Sequence, residues 1–551
     1  MIRRGAVVVA AYVVLVVAAS WPYTNYRDFA TATYGGDYRL IAWTLGWDNH
    51  ALLSNLPLFE SNIYFPAHDS LRYNEHLFGV SLFTLPLAAL GAPPVLAHNV
   101  VRWLAWLFNG LATFLLLRRY VRDDLSAFVG SLAFVCTFYV MLHAHSHLHL
   151  IWLWPMPLSL WLLERWFDSP TLSRLAAWVA VFLVGALTSW YVAVMMLIVN
   201  GVGGLAFTLW TGDKAQGRRG SWARRTAHLL GAAAVIALVL YPFARHYVGM
   251  RGASGEGAAN AATVASYLVP PQNTLVGRLW QANVDDRPGP IWGESTLFAG
   301  WIALTLAAIG VVSIPFRRDV SNRAWVFLLL VGIGFAISLG PSPALLGGSR
   351  FAPFAWMAAL PGFEGLRAPA RFAAVATLGL AGLSALGAAT LTRVVPKRSH
   401  LVLGGLVPLM LVEWFVVGFP AGTPQPFPVP PIYQSAEIRA ARSLVSLPEY
   451  WGTNDWVLGG DYLYYSMWHW RPIVNGFGRT EPPGYASLVA QVRDFPHHAS
   501  DLRSAGLQFV VVHGARLPNG GREILEAATA CRDCRLVTRV GSDYLFELSG
   551  T

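Results

Sequence analysis

The sequence predicts a polytopic α-helical membrane protein of about 11 transmembrane helices, with a C-terminal extracytoplasmic α/β domain. Three observations predict it. Of 551 residues, 55% are hydrophobic and only 13% are charged, roughly half the ~25% charged fraction of a soluble globular protein. So few charges cannot cover a water-soluble globule of this size, which excludes an ordinary cytosolic enzyme, a disordered chain and a collagen-like fibre. Apolar runs of spanning length recur along the first 419 residues, and beyond residue 433 the patterning switches to that of a soluble domain.

A span needs about 20 apolar residues. Runs of suitable length lie at 5–21, 96–117, 124–142, 149–166, 173–190, 191–210, 227–247, 296–315, 324–340, 371–392 and 401–419. Placing the N-terminus in the cytoplasm gathers Arg3, Arg4, Arg118, Arg119, Arg122, Lys214, Arg218, Arg219, Arg317, Arg318, Lys397 and Arg398 in short inner loops, as the positive-inside rule requires. The long loops 22–95, 248–295 and 341–371 then face outward, with everything after residue 420. The net charge of +10 is thus largely a topology signal, and no nucleic-acid partner is implied. Residues 77–91 are apolar but short and contain Pro86; they read as an interfacial or re-entrant helix on the outer face. The first run has the basic start and small-residue end of a signal peptide, yet reads better as a retained span.

The organisation that follows is a transmembrane domain at 1–419 with a large first extracytoplasmic loop (22–95), a Pro-rich linker at 420–433, and an α/β domain at 434–551. In that last domain Ala436–Leu447 and Arg522–Ala530 read as helices, and Phe509–His513, Leu536–Arg539 and Tyr544–Leu548 as strands. Cys531 and Cys534 are expected to form a local disulfide if this end is extracytoplasmic. There is no GxxxxGK[ST] phosphate loop, no Gly-x-Ser-x-Gly elbow and no His-Glu-x-x-His helix, which argues against an ATP-driven pump, a serine hydrolase and the usual zinc proteases.

The outer loops carry the candidate chemistry. In the first, Asp37, Leu40, Ile41, Thr44, Trp47 and Asp48 fall at helical spacing, which suits an amphipathic helix on the membrane surface. Asp37 near its start is either a cap or a general base or metal ligand. Further along, His143, His145, His147 and His149 alternate through seven residues. All four share a side only in an extended segment, whereas a helix pairs His143 with His147 and His145 with His149. The run is either a polar turn or a contact for metal or phosphate, with His145 and His149 as candidate metal ligands. In Glu364-Gly-Leu-Arg367-Ala-Pro-Ala-Arg371-Phe372, two arginines stand where a span begins. They either reach the headgroups or hold a phosphate in their planar forks. Trp190, Tyr191 and Glu294 lie at other outer span ends.

Several stretches resemble the GT-C superfamily of membrane glycosyltransferases, with detail similar to its bacterial YfhO-like branch. They are Gly36-Asp37 with Ala42-Trp43 and Trp47-Asp48; Asn62-Ile63-Tyr64-Phe65-Pro66; Glu75-His76-Leu77-Phe78-Gly79; Ser146-His147-Leu148; Leu366-Arg367-Ala368-Pro369-Ala370-Arg371-Phe372; and Trp470-Arg471-Pro472-Ile473-Val474-Asn475-Gly476. Their order along most of the chain gives the specificity. The resemblance implies a GT-C-like fold in a bacterial inner (plasma) membrane. It also implies sugar transfer from a polyprenyl-phosphate donor to a glycan, lipid or protein acceptor on the outer face. The base role carries over to Asp37, with Asp48 or Glu75 as substitutes. Arg367 and Arg371 become a clamp for the lipid phosphate and His147 a contact to it, with Arg39, His76, Trp190, Tyr191 and Glu294 as further substrate-binding candidates. Metal-dependent members use acidic ligands before the fourth span where this chain has histidines, so the need for a divalent metal stays open. The chemistry agrees independently: a phosphate leaving group needs its charge met, and a hydroxyl acceptor must lose a proton. The competing readings are a transporter or flippase for a lipid-linked saccharide, which should carry ionisable groups at the membrane midplane, and a scaffold of an envelope complex.

Overall fold

A computed structural model of the chain describes residues 2–20, 29–30, 35–144, 147–212, 219–250, 256–283, 293–316, 322–343, 345, 348–415, 425–426, 428–450, 452–453, 455–478 and 480–549. They form two compact units, one of Met1–Thr24 with Val100–Pro420 and one of Asn25–Asn99 with Ala421–Thr551. The large first loop therefore belongs with the C-terminal residues.

The first unit is helical. At its centre stands Ala373–Val394, buried on every side from Ala373 to Ala389. Such a helix needs neighbours all round, and its small residues admit them. A methyl group added at Gly387 would collide with the Leu306 carbonyl, and one at Gly379 with the Phe327 carbonyl. The helices Trp301–Ser313, Trp325–Ser338 and Asp124–Val135 approach it in this way, the small-residue packing that membrane helices favour. Among the described residues four helices are long and apolar enough to cross a membrane: Pro94–Val121, Trp190–Leu209, Trp222–Tyr247 and Pro369–Val394. Each remaining apolar run also contains helix, but two are interrupted. The 124–142 run breaks between Asp124–Val135 and Phe138–His143, and the 149–166 run between Leu148–Ile151 and Pro155–Asp168, where Pro155 and Pro157 cannot continue a preceding helix. An ion cluster around the buried Glu164 ties three helices together: Glu164 accepts from Arg323 Nη1 at 2.9 Å and pairs with Arg119, whose Nε lies 3.0 Å away, and Arg323 also reaches Asp168 at 2.7 Å.

The second unit contains a four-stranded sheet and a small ladder of β1 (Phe29–Ala30) with β2 (Gln425–Pro426). β3 (Leu444–Leu447) runs parallel to β4 (Phe509–His513), which pairs antiparallel with β6 (Asp543–Leu548), itself antiparallel to β5 (Cys534–Val540). The expected strands and the Arg522–Ala530 helix are present. The expected helix over Ala436–Leu447 is not. It stops at Ala440 after one Ser435-capped turn, and Leu444–Leu447 becomes β3 because its fully buried residues complete the sheet beside β4. Cys531 and Cys534 carry free thiols rather than the expected disulfide; they flank the turn between the last helix and β5, joined through the Cys534 N–H and the Cys531 carbonyl at 3.3 Å.

The first loop completes this unit. The Ile473 N–H donates to the Asn62 carbonyl at 2.7 Å and the Phe65 N–H to the Ile473 carbonyl at 2.9 Å. The Asn62-to-Pro66 and Trp470-to-Gly476 stretches therefore pair directly. The Gly35–Ser54 helix is buried through Ile41–Asn49, so it is not the surface amphipathic helix the spacing suggested. Its polar residues Asp48 and Asn49 bond to Ser81 and Thr84 of the Phe78–Ala89 helix instead.

Candidate functional site

The first unit brings Tyr191, Glu294, Arg371, His147 and His149 into one cluster. Pro369 opens the Pro369–Phe372 turn that leads into the central helix, which aims the buried Arg371 side chain at Glu294. Arg371 Nε donates to both Glu294 oxygens at 3.1 Å and Nη2 donates to Oε1 at 2.5 Å. Burial alone would raise the Glu294 carboxyl, but the Arg371 guanidinium and the nearby His143 hold it well below the usual carboxylate range. The guanidinium rests 4.6 Å above the Tyr191 ring. The Tyr191 hydroxyl accepts the backbone N–H groups of Arg367 at 2.7 Å and Ala368 at 2.9 Å, fixing the segment that carries both arginines. Arg367 itself is half-buried. Trp190 braces the same loop by donating Nε1–H to the Gly362 carbonyl at 2.8 Å.

Of the histidines, His145 lies outside the described residues. His143 and His147 meet through their Nδ1 atoms at 3.1 Å, and the His147 N–H donates to the His143 carbonyl at 2.9 Å; this is the helical pairing. Only one nitrogen can donate across that contact. Glu294 Oε2 lies 3.6 Å from His143 Nε2, too long for a hydrogen bond but close enough to favour a proton there. His149 is buried with its ring 5.9 Å from that of His147. Among the described residues no group of three or more His, Cys, Asp or Glu side chains could hold a metal ion.

The remaining candidates belong to the second unit. Asp37 is half-buried in the first turn of Gly35–Ser54, and Glu75 is half-buried. Arg39 is buried against Asp461, which also receives Arg516 Nη2 at 2.9 Å. Arg516 in turn donates to the Tyr465 hydroxyl at 2.8 Å. Asp48 is fully buried, takes a 2.6 Å hydrogen bond from Ser81, and burial raises its carboxyl well above the usual range. His76 is likewise buried, pushed down to about 3 by burial, and accepts the Phe78 N–H at Nδ1, 3.2 Å away.

Sequence reasoning did not single out Tyr139, whose ring lies 4.7 Å from that of His143, nor Asp461 and Arg516. A signal for Asp461 existed. Gly459-Gly460-Asp461-Tyr462 repeats Gly35-Gly36-Asp37-Tyr38, and the two helices that start there meet at their second glycines: a methyl group on Gly460 would lie 2.8 Å from the Gly36 carbonyl oxygen.

The fold is similar to that of the arabinofuranosyltransferase AftD from Mycobacteria in its cryo-EM structure, at 15% identity and a TM-score of 0.53 over 99% of this chain and 40% of that one. A mutant of the same transferase gives 16% identity and a TM-score of 0.58 over 100% and 42%. The chain thus spans about two fifths of the length of that enzyme. No curated protein matches it by sequence. The model of the domain of unknown function DUF6311 matches residues 57–413, more than half of the sequence, and the chain belongs to that family.

Proposed function

We propose that the chain is a glycosyltransferase that moves a sugar from a polyprenyl-phosphate donor to a glycan, lipid or protein acceptor on the extracytoplasmic face of a bacterial inner membrane. The observation that carries this reading is the Arg371–Glu294–His143–His147 assembly, set where apolar helices end in a fold shared with a sugar transferase. The narrower likeness to the YfhO-like branch rests on sequence motifs alone.

In this reading the acceptor oxygen attacks the anomeric carbon while the anomeric C–O bond to phosphate breaks, and that electron pair leaves on the polyprenyl phosphate. Arg371 and Arg367 meet the developing charge, as preorganised cations do best in a site screened from water. Glu294 engages the Nε and Nη2 edge of Arg371 and so orients the guanidinium before substrate arrives. His147 contacts a phosphate oxygen through a ring N–H. A hydroxyl acceptor must also lose a proton; Asp37, with Glu75 as the substitute, is the base proposed on the sequence motifs alone, and the buried Asp48, where burial disfavours the charged form, suits this role less.

The test is transfer by the full chain in proteoliposomes supplied with radiolabelled polyprenyl-phosphate sugars. Wild-type protein should release free polyprenyl phosphate in step with product. His147→Asn and Arg371→Lys should slow transfer by roughly 100-fold or more. Movement of intact donor across the bilayer without bond cleavage would support the flippase reading and overturn this one.

A further inference from the structure

Two polar groups on the histidine-bearing segment make no bond in the first unit. Tyr139 is only 1% exposed and His149 only 5%, yet the Tyr139 hydroxyl and His149 Nδ1 are buried with no hydrogen-bond partner among the described residues. An unmatched buried donor or acceptor is costly, and both fall in one place. Tyr139 and His143 lie one turn apart on the Phe138–His143 helix, hence on one face of it, and their rings meet edge to face at 4.7 Å. The Tyr139 hydroxyl is within electrostatic reach of Glu294, Arg371 and Tyr191. His149 is within reach of Arg371, Glu294 and the rings of His143 and His147. The neighbours' own bonds narrow what could sit there. Glu294 already matches the Arg371 charge by taking its Nε and Nη2 hydrogens, and the Tyr191 hydroxyl already accepts two backbone N–H groups. A cation would be repelled by Arg371, and an apolar group would leave the hydroxyl unmatched. An oxyanion accepts from a phenolic O–H and is drawn to the guanidinium.

We propose that the Tyr139 O–H donates to an oxygen of the polyprenyl-phosphate leaving group, as a neutral donor beside Arg371 and His147. This role rests on the transferase reading and adds a residue to it. As the anomeric C–O bond breaks, its electron pair settles on the phosphate, and the hydrogen bond from Tyr139 strengthens as that charge grows. The proton stays on the phenol throughout. The ring is held against His143 before substrate arrives, so the donor needs no reorganisation at the moment of transfer. A group that serves the bound phosphate and nothing in the free protein has a distinct signature. Removing the hydroxyl should spare the fold and weaken only the binding of phosphate.

The test compares the full-length wild type with Tyr139→Phe, which keeps the ring against His143 and deletes only the O–H. Native mass spectrometry of each protein in detergent micelles is titrated with undecaprenyl phosphate and with undecaprenol, the same lipid without the phosphate. Wild type should prefer the phosphate. Tyr139→Phe should bind undecaprenyl phosphate roughly 10-fold more weakly or worse, the worth of a hydrogen bond to a charged acceptor, and bind undecaprenol as wild type does. Without lipid it should melt no lower than wild type. Equal affinity of the two proteins for undecaprenyl phosphate would overturn the role of Tyr139 and leave the transferase reading standing. A variant that melts several degrees lower and loses both lipids alike would also overturn it, because the hydroxyl would then belong to the fold. Failure of wild type to prefer the phosphate would overturn the donor reading itself, and this role with it.

Discussion

Gly36 and Gly460 cross with their backbones in contact, 424 residues apart in the sequence but at matching positions of two Gly-Gly-Asp-Tyr helix starts. A Cβ on Gly460 would meet three backbone atoms of Gly36 within 3.2 Å, and backbone cannot swing aside as a flexible side chain can. Gly460→Ala should therefore destabilise the second unit by about 1–3 kcal/mol, the usual cost of overpacking. Gly332→Ala, where a methyl group meets nothing within 4 Å, should stabilise by about 0.5–1 kcal/mol through helix propensity. Thermal unfolding of the purified chain checks both. Equal melting temperatures in the two variants would show that the glycine crossing is loose.

Glu294→Gln should leave Arg371 as an uncompensated buried cation, at a cost of about 3–5 kcal/mol at neutral pH. The acid dependence has a definite sign. Because the folded carboxyl titrates below its unfolded value, near 4.3, its stabilisation is complete above that pH and is lost as pH falls through the folded value. Thermal unfolding from pH 7 to 3 should show wild type losing its advantage over Glu294→Gln only toward the acid end. A difference that does not vary with pH would contradict the pairing.

Asp48→Asn should transfer within about twofold of wild type, because Asn keeps the shape and the acceptor for Ser81, and burial already disfavours the charged form that a base needs. Asp37→Asn should lose about 100-fold or more while expressing normally, since an acid in the first turn of a helix contributes only about 0.3–1 kcal/mol. The reverse order of activities would move the base from Asp37 to Asp48.

Cys531 and Cys534 should both react with maleimide under non-reducing denaturation, and so should the buried Cys136. Mass analysis that finds only one labelled cysteine per chain would show that Cys531 and Cys534 had paired.

The helices of the first unit were legible because bilayer-length apolar runs are a direct readout of where a chain can satisfy its own backbone. Hydropathy averages over local breaks, however, and so it ran through Thr137 and Pro155, where helices end and the His143–His147 contact begins. The arginine pair near residue 370 and the isolated Glu294 were readable as separate candidates. Nothing in a single sequence tells that a guanidinium and a carboxylate 77 residues apart will meet. The Gly35–Ser54 helix was placed correctly and its surroundings were not, because helical spacing of polar residues looks the same whether they face water or the buried hydroxyls of Ser81 and Thr84.

Residues 25–99 complete their fold with residues 421–551, and this has a consequence for biogenesis. At roughly 5–20 residues per second of synthesis, the first portion emerges about 15–65 seconds before the second exists. During that interval β1 has no β2, Gly36 has no Gly460 and Arg39 has no Asp461. The early segment must wait, either unfolded or held by a chaperone, while every apolar helix of the first unit is inserted. Nonsense mutations anywhere between residues 100 and 420 should thus be equivalent for this part of the molecule, each leaving an orphaned segment for proteolysis rather than a smaller working domain.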